Sequence, residues 1–292
     1  MSENLKVIYN NLVTSSNVTA SSSAGGTTPA SNLAAYPKGL VWRSGATTTA
    51  ILLVNLGSSV LVDGVILPFT NLTSAATIQV IGYSTAPTLG GTVAVPTISG
   101  GTVEFDTTAI DACPWERVVP WGTGSIPAGA NTYAYGGGQC ARCWIPVGMQ
   151  EAVTHLTIQI TDASLSYIEA SHLVVGKSWS PKYNTSYGLS LTPTDTSTSQ
   201  RAVSGDLYTN RGTLSNILKM DLKYMDSTDK LNFLNICRTN GLSKPLFVSL
   251  FPEDEDPAKE RDFQIYGKMS SLDSIVHSTY TIYSTQVSIE EL

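Results

Sequence analysis

Residues Thr154-His-Leu-Thr-Ile-Gln-Ile-Thr161 alternate polar and apolar side chains, the period of a strand with one buried face. The same texture recurs through the first half of the chain. Lys6 to Tyr9 is short and apolar, Ala76 to Tyr83 and Thr102 to Asp106 alternate, and Ser171 to Gly176 is more continuously apolar. Ala50 to Asn55 and Val60 to Leu67 follow each other across Gly57-Ser58-Ser59, which predicts two strands and a turn. Gly- and Pro-rich stretches, the longest being Leu89 to Gly101 and Trp121 to Gly138, read as loops between strands. Short strands at close spacing with turn signals predict an antiparallel sandwich or jelly roll.

Near Lys177 the texture changes. Trp179 to Asn184 and Thr192 to Ser199 are polar and turn-rich and read as a boundary or linker. The last third then mixes strand and helix. Leu214 to Met225, Leu246 to Phe251, Asp262 to Gly267 and Tyr280 to Ile289 read as strands. Thr228 to Thr239 is the one convincing helix: Ser227 or Thr228 can cap it, Leu231, Leu234 and Cys237 sit at helical spacing, and Gly241 ends it. The expected division is a sandwich over residues 1–176 and a smaller β-rich docking module over 177–292.

Composition narrows the function classes. Charged residues make up 14% of the chain, against roughly 25% for an ordinary soluble domain. The formal net charge is -6 and the sequence pI is about 5.0. That balance argues against nucleic acid or an anionic membrane as the partner. No apolar stretch reaches the roughly 18 residues of a membrane helix, because Ala50 to Leu67 is interrupted by Asn55, Gly57, Ser58, Ser59, Asp63 and Gly64. The opening residues lack the pattern of a secretory signal, so cytoplasmic synthesis and no membrane insertion are expected. Four cysteines in a chain of 292 residues make no disulfide framework.

Catalytic constellations are sparse. His155, His172 and His277 have no accompanying triad motif, and neither Gly-x-Ser-x-Gly nor His-Glu-x-x-His occurs. Pro252-Glu-Asp-Glu-Asp-Pro257 reads as a solvated acidic loop, with an acid–base pair or a cation site as the alternative. Cys140-Ala-Arg-Cys143, with Cys113 upstream, is either a set of ordinary thiols, half of a metal site or a redox pair. Gly136-Gly-Gly138 lacks the spacing and the Lys-Ser/Thr of a phosphate loop. The aromatic residues are the stronger binding candidates, since sugars stack their C–H faces on such rings. Trp115, Trp121, Tyr133, Tyr135 and Trp144 lie in and beside the long loop region, where they either hold a ligand or pack on the sandwich or a neighbouring subunit. Trp42 reads as core, with Arg43 anchoring a loop.

Two stretches carry a family resemblance. Val18-Thr-Ala-Ser-Ser-Ser23, Thr28-Pro-Ala-Ser-Asn-Leu33 and Gly39-Leu-Val-Trp-Arg-Ser-Gly45 resemble the opening of galactose-binding-like, discoidin-type β-sandwiches. Leu173 to Gly188, with Gly241 to Pro252 and Phe263 to Lys268, is similar to segments of tailed-phage baseplate and minor tail proteins. The resemblance implies a mainly β chain: a galactose-binding-like jelly-roll sandwich followed by a β-rich module with one helix. It also implies a structural, non-enzymatic component of a phage tail tip or distal tail, a virion protein assembled in the host cytoplasm. Its partners would be other tail and baseplate proteins, copies of itself and, weakly, a host-surface glycan; no cofactor is required and no metal ligand is put forward, with the state of Cys113, Cys140 and Cys143 left open. The alternative is a soluble lectin or carbohydrate-binding module. A glycan-degrading enzyme would instead need two carboxylates facing each other at about 5 to 10 Å.

Overall fold

The computed structural model of the chain describes residues 4–114, 138–210 and 212–292. In chain order the strands are β1 (Lys6–Ile8), β2 (Val18–Ala20), β3 (Trp42–Arg43), β4 (Thr49–Leu61), β5 (Gly64–Thr70), β6 (Thr77–Tyr83), β7 (Thr88–Gly91), β8 (Pro96–Ser99), β9 (Val103–Asp106), β10 (Ile110–Asp111), β11 (Gln139–Trp144), β12 (Ala152–Thr161), β13 (Glu169–Ala170) and β14 (Val174–Gly176). They continue as β15 (Ser178–Trp179), β16 (Ser190–Asp195), β17 (Thr198–Arg201), β18 (Leu207–Asn210) and β19 (Leu214–Met225). After α1 (Ser227–Asn240) come β20 (Leu246–Ser249), α2 (Pro257–Asp262), β21 (Gln264–Met269), β22 (Val276–Thr279) and β23 (Ile282–Glu291).

Among the described residues, every pairing between these strands is antiparallel. One sheet runs β10-β6-β12-β4-β2, with β9 also on β6, and a second runs β11-β5-β13-β3, with β14 also on β5. Their facing sides make the sandwich core. Leu156, Ile158 and Ile160 of β12 meet Val65 and Leu67 of β5 and Ala141 and Cys143 of β11 within one buried cluster. The third sheet, β15-β1-β20-β21-β23-β19-β16 with β22 on β23, belongs to the C-terminal module.

The layers stack. All seven residues of β5 are buried: Val65 and Leu67 turn to the sandwich core, while Ile66 and Phe69 join a second cluster with Ile8, Trp144, Phe247 and Tyr266. The second sheet is therefore a middle layer, covered on one side by its sandwich partner and on the other by the C-terminal sheet. The far side of the C-terminal sheet carries Val7, Val248, Ile265 and Ile289, and Phe233 and Ile236 of α1 close it. A strand covered on both faces reads as a continuous apolar run rather than an alternation, which is what Val65 to Leu67 shows.

Several expectations need correction. The turn expected at Gly57-Ser58-Ser59 is strand: β4 runs on to Leu61, with Gly57 at φ +74° and a register shift opposite Val153 and His155, and the chain turns at Val62-Asp63 instead. The supposed linker at Thr192 to Ser199 is β16 and the start of β17. The expected loop over Leu89 to Gly101 contains the β7–β8 hairpin. Strand β1, counted by sequence with residues 1–176, lies between β15 and β20 inside the C-terminal sheet.

The helix expected over Thr228 to Thr239 is α1, but Asp226 caps it, its carboxylate accepting from the amides of Thr228 and Asp229 at 2.8 Å each. Its buried stripe is Asp229, Phe233, Ile236 and Asn240, while Leu231 faces solvent. The two polar members of that stripe are used: Asp229 accepts from the amide of Lys182, and Asn240 donates to the carbonyls of Tyr9 and Pro245. The acidic run is partly helical rather than a plain loop. Asp256 caps α2, and Asp254 pairs with Lys259 at 2.8 Å. Among the described residues the C-terminal part thus holds two helices, α1 and the short α2, where one was expected. No described helix is long and apolar enough to cross a membrane.

Candidate functional site

Of the five aromatic residues put forward from sequence, Trp115, Trp121, Tyr133 and Tyr135 lie outside the described residues. Trp144 packs in the interior rather than lining an open loop. It is 3% exposed, its ring centroid is 6.2 Å from that of Phe247, and Lys6 sits over its face at 4.8 Å. The period of β11 explains the placement. Ala141 and Cys143 turn to the sandwich core, so Arg142 and Trp144 turn to the C-terminal module.

The same alternation separates the C-x-x-C. Residues i and i+3 of a strand point to opposite faces. Cys143 lies in the sandwich core beside Thr107, whereas Cys140 packs against the seam between the modules. Two thiols on opposite faces cannot grip one metal ion. Burial pushes the Cys143 thiol up to about 11, so it is held as an inert thiol.

The seam carries a second polar feature. Arg142 forms a two-pronged pair with Glu260 of α2, Nε to Oε1 and Nη2 to Oε2, both at 2.9 Å. The Glu260 side chain is almost fully buried. Nearby, His172 is buried against Tyr266, with ring centroids 5.2 Å apart, and against Phe69 at 6.1 Å. Burial lowers its pKa to about 4. His155 bonds to its neighbour Thr154, and the exposed His277 stacks on Tyr283 at 4.6 Å. The three histidines thus sit in three separate settings, and each is occupied by a packing or hydrogen-bonding role.

A different cluster stands at one end of the sandwich. There the connections after β3, β5 and β12 are laced together: Ser44 and Thr47 donate backbone N–H groups to the carbonyls of Ile168 and Ser166, and the Asp162 carboxylate accepts from the amide and hydroxyl of Thr73. Asn71 ties the base, donating to the Tyr167 carbonyl and accepting from the Glu169 amide. On this frame β3 and β13 set Arg43 directly opposite Glu169. The guanidinium lies over the Tyr167 ring at 4.6 Å. Its Nε and Nη2 both reach one oxygen of Glu169, at 2.7 and 2.6 Å. The Glu169 side chain is 2% exposed and that of Arg43 is 24% exposed. Nη1 has no hydrogen-bond partner among the described residues. The result is a charged donor held over an aromatic ring by a buried carboxylate and still partly exposed.

Sequence reading found Arg43 as an anchor but missed its partners. The signal is modest: in Tyr167-Ile-Glu169, Ile168 is core, and period 2 places its two neighbours together on the other side. Trp42, expected in the core, is fully buried and donates to the Ser22 carbonyl.

No family model matches the sequence, and no curated protein matches it. Solved structures do. Chitosan-binding module 1 of the chitosanase/glucanase from Paenibacillus sp. IK-5 is similar at 17% identity, covering 57% of this chain and 99% of that one, with a TM-score of 0.38. A fucose binding module, SpX-3, of Streptococcus pneumoniae is similar at 10% identity over 57% of this chain and 98% of its own, with a TM-score of 0.35. The lectin binding domain of Lectinolysin, complexed with Lewis b, is similar at 11% identity over 57% of this chain and 94% of its own, with a TM-score of 0.36.

Proposed function

We propose that this chain is a non-catalytic glycan-binding protein that engages sugar at the Arg43 end of its sandwich. The observation that carries the reading is the Arg43–Tyr167–Glu169 arrangement. A sugar offers pairs of neighbouring hydroxyls and apolar C–H faces. A guanidinium already held by Glu169 and Tyr167 can donate to such hydroxyls with little rotamer freedom left to lose on binding.

The test is calorimetric titration of the whole chain with neutral and acidic oligosaccharides. Arg43→Lys keeps the charge beside Glu169 but loses the planar fork, and affinity should fall about tenfold, the loss of roughly one charged hydrogen bond. Tyr167→Leu, which leaves no buried charge unpaired, should weaken binding as well. Wild-type protein that binds no glycan at millimolar concentration sinks the reading.

A second reading, a repeated subunit of a phage tail tip, is favoured by one feature. The β17–β18 hairpin is exposed at every strand residue and carries the exposed apolar side chains Val203, Leu207 and Tyr208. An exposed two-stranded ribbon is marginally stable alone, and its apolar surface suits burial against a neighbouring subunit. Immunogold microscopy of particles released from the source culture decides this. Gold at tail tips supports a virion role in which many weak sugar contacts add through avidity. Gold absent from intact particles, with the protein free in the medium, removes it.

A further inference from the structure

The C-terminal module carries an aromatic cleft of its own. Lys182, Tyr183, Tyr224, Asp226, Tyr280 and Tyr283 line an open depression of about 650 Å³ beside the start of α1. A second trough of about 640 Å³, lined by Lys223, Asp273, Ser278, Ser284 and Gln286, meets the first at Tyr224. Tyr183 is 55%, Tyr224 56% and Tyr280 94% exposed. Large aromatic rings gathered at one concave place are not what a folded chain leaves to water without use.

One ring, that of Tyr283, is held on its faces. Lys230 sits over the Tyr283 ring at 4.3 Å, and His277 stacks on that ring at 4.6 Å with the planes 13° apart. His277 also hydrogen-bonds the Tyr280 carbonyl at 3.2 Å, fixing the turn that carries Tyr280. Lys182 lies 5.6 Å from the Tyr183 centroid. Asp226 is fixed as the cap of α1 through one carboxylate oxygen. Among the described residues, none of the four tyrosine hydroxyls has a hydrogen-bond partner.

We propose that this cleft binds a neutral oligosaccharide, at a site separate from the Arg43 end of the sandwich. The chemistry selects that ligand. Aromatic ring faces offer stacking for sugar C–H surfaces, and a tyrosine has few rotamers to lose. The rim of serine, threonine and tyrosine hydroxyls, with Gln286, offers both donors and acceptors for sugar hydroxyls. The first depression sets one lysine against one aspartate and the second sets Lys223 against Asp221 and Asp273, so an anionic ligand is disfavoured and no strong field selects a cation. Two troughs joined at Tyr224 suit a chain of several units rather than a single ring. The inference does not depend on the glycan reading of the sandwich, because it draws on different residues in a different module.

The experiment titrates the full chain with glucose, N-acetylglucosamine and galactose oligomers of three to six units. It compares wild type, Tyr224→Ala, Tyr280→Ala, their double variant and Arg43→Lys. Both tyrosines are exposed, so an unchanged melting temperature serves as the folding control. Each tyrosine variant should lose about tenfold in affinity for one oligomer series, the double variant should lose binding to it, and Arg43→Lys should leave that series untouched. Two results overturn the proposal. One is binding of every oligomer that is indifferent to both tyrosines. The other is a tyrosine variant that instead abolishes capture of a proline-rich peptide or dissociates a self-assembled oligomer, which makes the cleft a protein interface.

Discussion

Replacing Glu260 by leucine will lower the unfolding free energy by about 3 to 5 kcal/mol, the usual consequence of stranding one member of a buried ion pair. Arg142 would keep its bond to the Asp111 carbonyl, at 2.6 Å, but its charge would face a dry seam. In the native protein burial works against that charge, and the hydrogen bonds and charge of Glu260, with smaller contributions from Cys140 and Cys113, together outweigh it, so the guanidinium pKa is raised above its usual value. Urea unfolding of the single variants Glu260→Leu and Arg142→Met, and of the double variant, checks this. Each single variant should shift the midpoint sharply at unchanged slope. The double variant should be more stable than either single one, because an apolar pair of similar size leaves no charge uncompensated. A cost below 1 kcal/mol for both single variants would mean that water reaches the pair, and that the two modules meet less closely than the buried cluster around Trp144 and Phe247 indicates.

The second large effect is acid lability centred on His172. Its native pKa of about 4 lies below the ordinary 6.5. Below pH 6.5 the unfolded chain takes up a proton that the folded one refuses. Stability is therefore complete above about pH 6.5 and falls with pH, by about 1.4 kcal/mol per unit, until the native imidazole protonates near pH 4. The total is about 3 kcal/mol. The causes are burial first, then the Lys38 charge, set against the hydrogen bond to the Tyr36 carbonyl. Carboxylates elsewhere also titrate in this range, so the readout is a difference: urea midpoints of wild type and His172→Asn, measured from pH 7.5 to 4.5. The wild type should lose the extra stability and the variant should not. Parallel pH profiles would show that the imidazole keeps a hydrated, protonatable position.

Both effects arise at the seam between modules, and the seam was hard to see in the sequence. Strands with one wet face announced themselves: β12 and β19 alternate along most of their length, and both were located within two residues of their ends. Strands with two wet faces did not. The hairpin β17–β18 is exposed throughout, and the edge strand β16 contributes only Leu191 to the core, so no apolar period distinguishes them from a linker. Strands with two dry faces misled in the opposite way. In β11, Trp144 follows a loop rich in aromatic residues and was grouped with it, although period 2 sends it to the seam with Arg142. Helix α2 is six residues long, too short for any periodicity, and only its Asp256-Pro257 start carries a signal. Of the sandwich-end cluster, Arg43 was legible beside the buried Trp42, while Glu169 was not, because its pairing partner lies 126 residues away.

The position of β1 has a consequence for how the chain is made. Residues 6–8 leave the ribosome early, yet their neighbours in the sheet are residues 178–179 and 247–249. At roughly 5 to 20 residues per second, β20 follows β1 by on the order of ten seconds or more. Until residues 178–179 emerge Val7 and Ile8 have no sheet neighbour, and until residues 247–249 emerge they have only one side of their sheet, whereas the strands from β2 to β14 emerge as one uninterrupted block and can close their own core. Translation thus favours an order: the sandwich closes first, as a loop thrown out from an unfinished sheet, and the C-terminal sheet is completed later, when β20 arrives on the open side of the early strand β1.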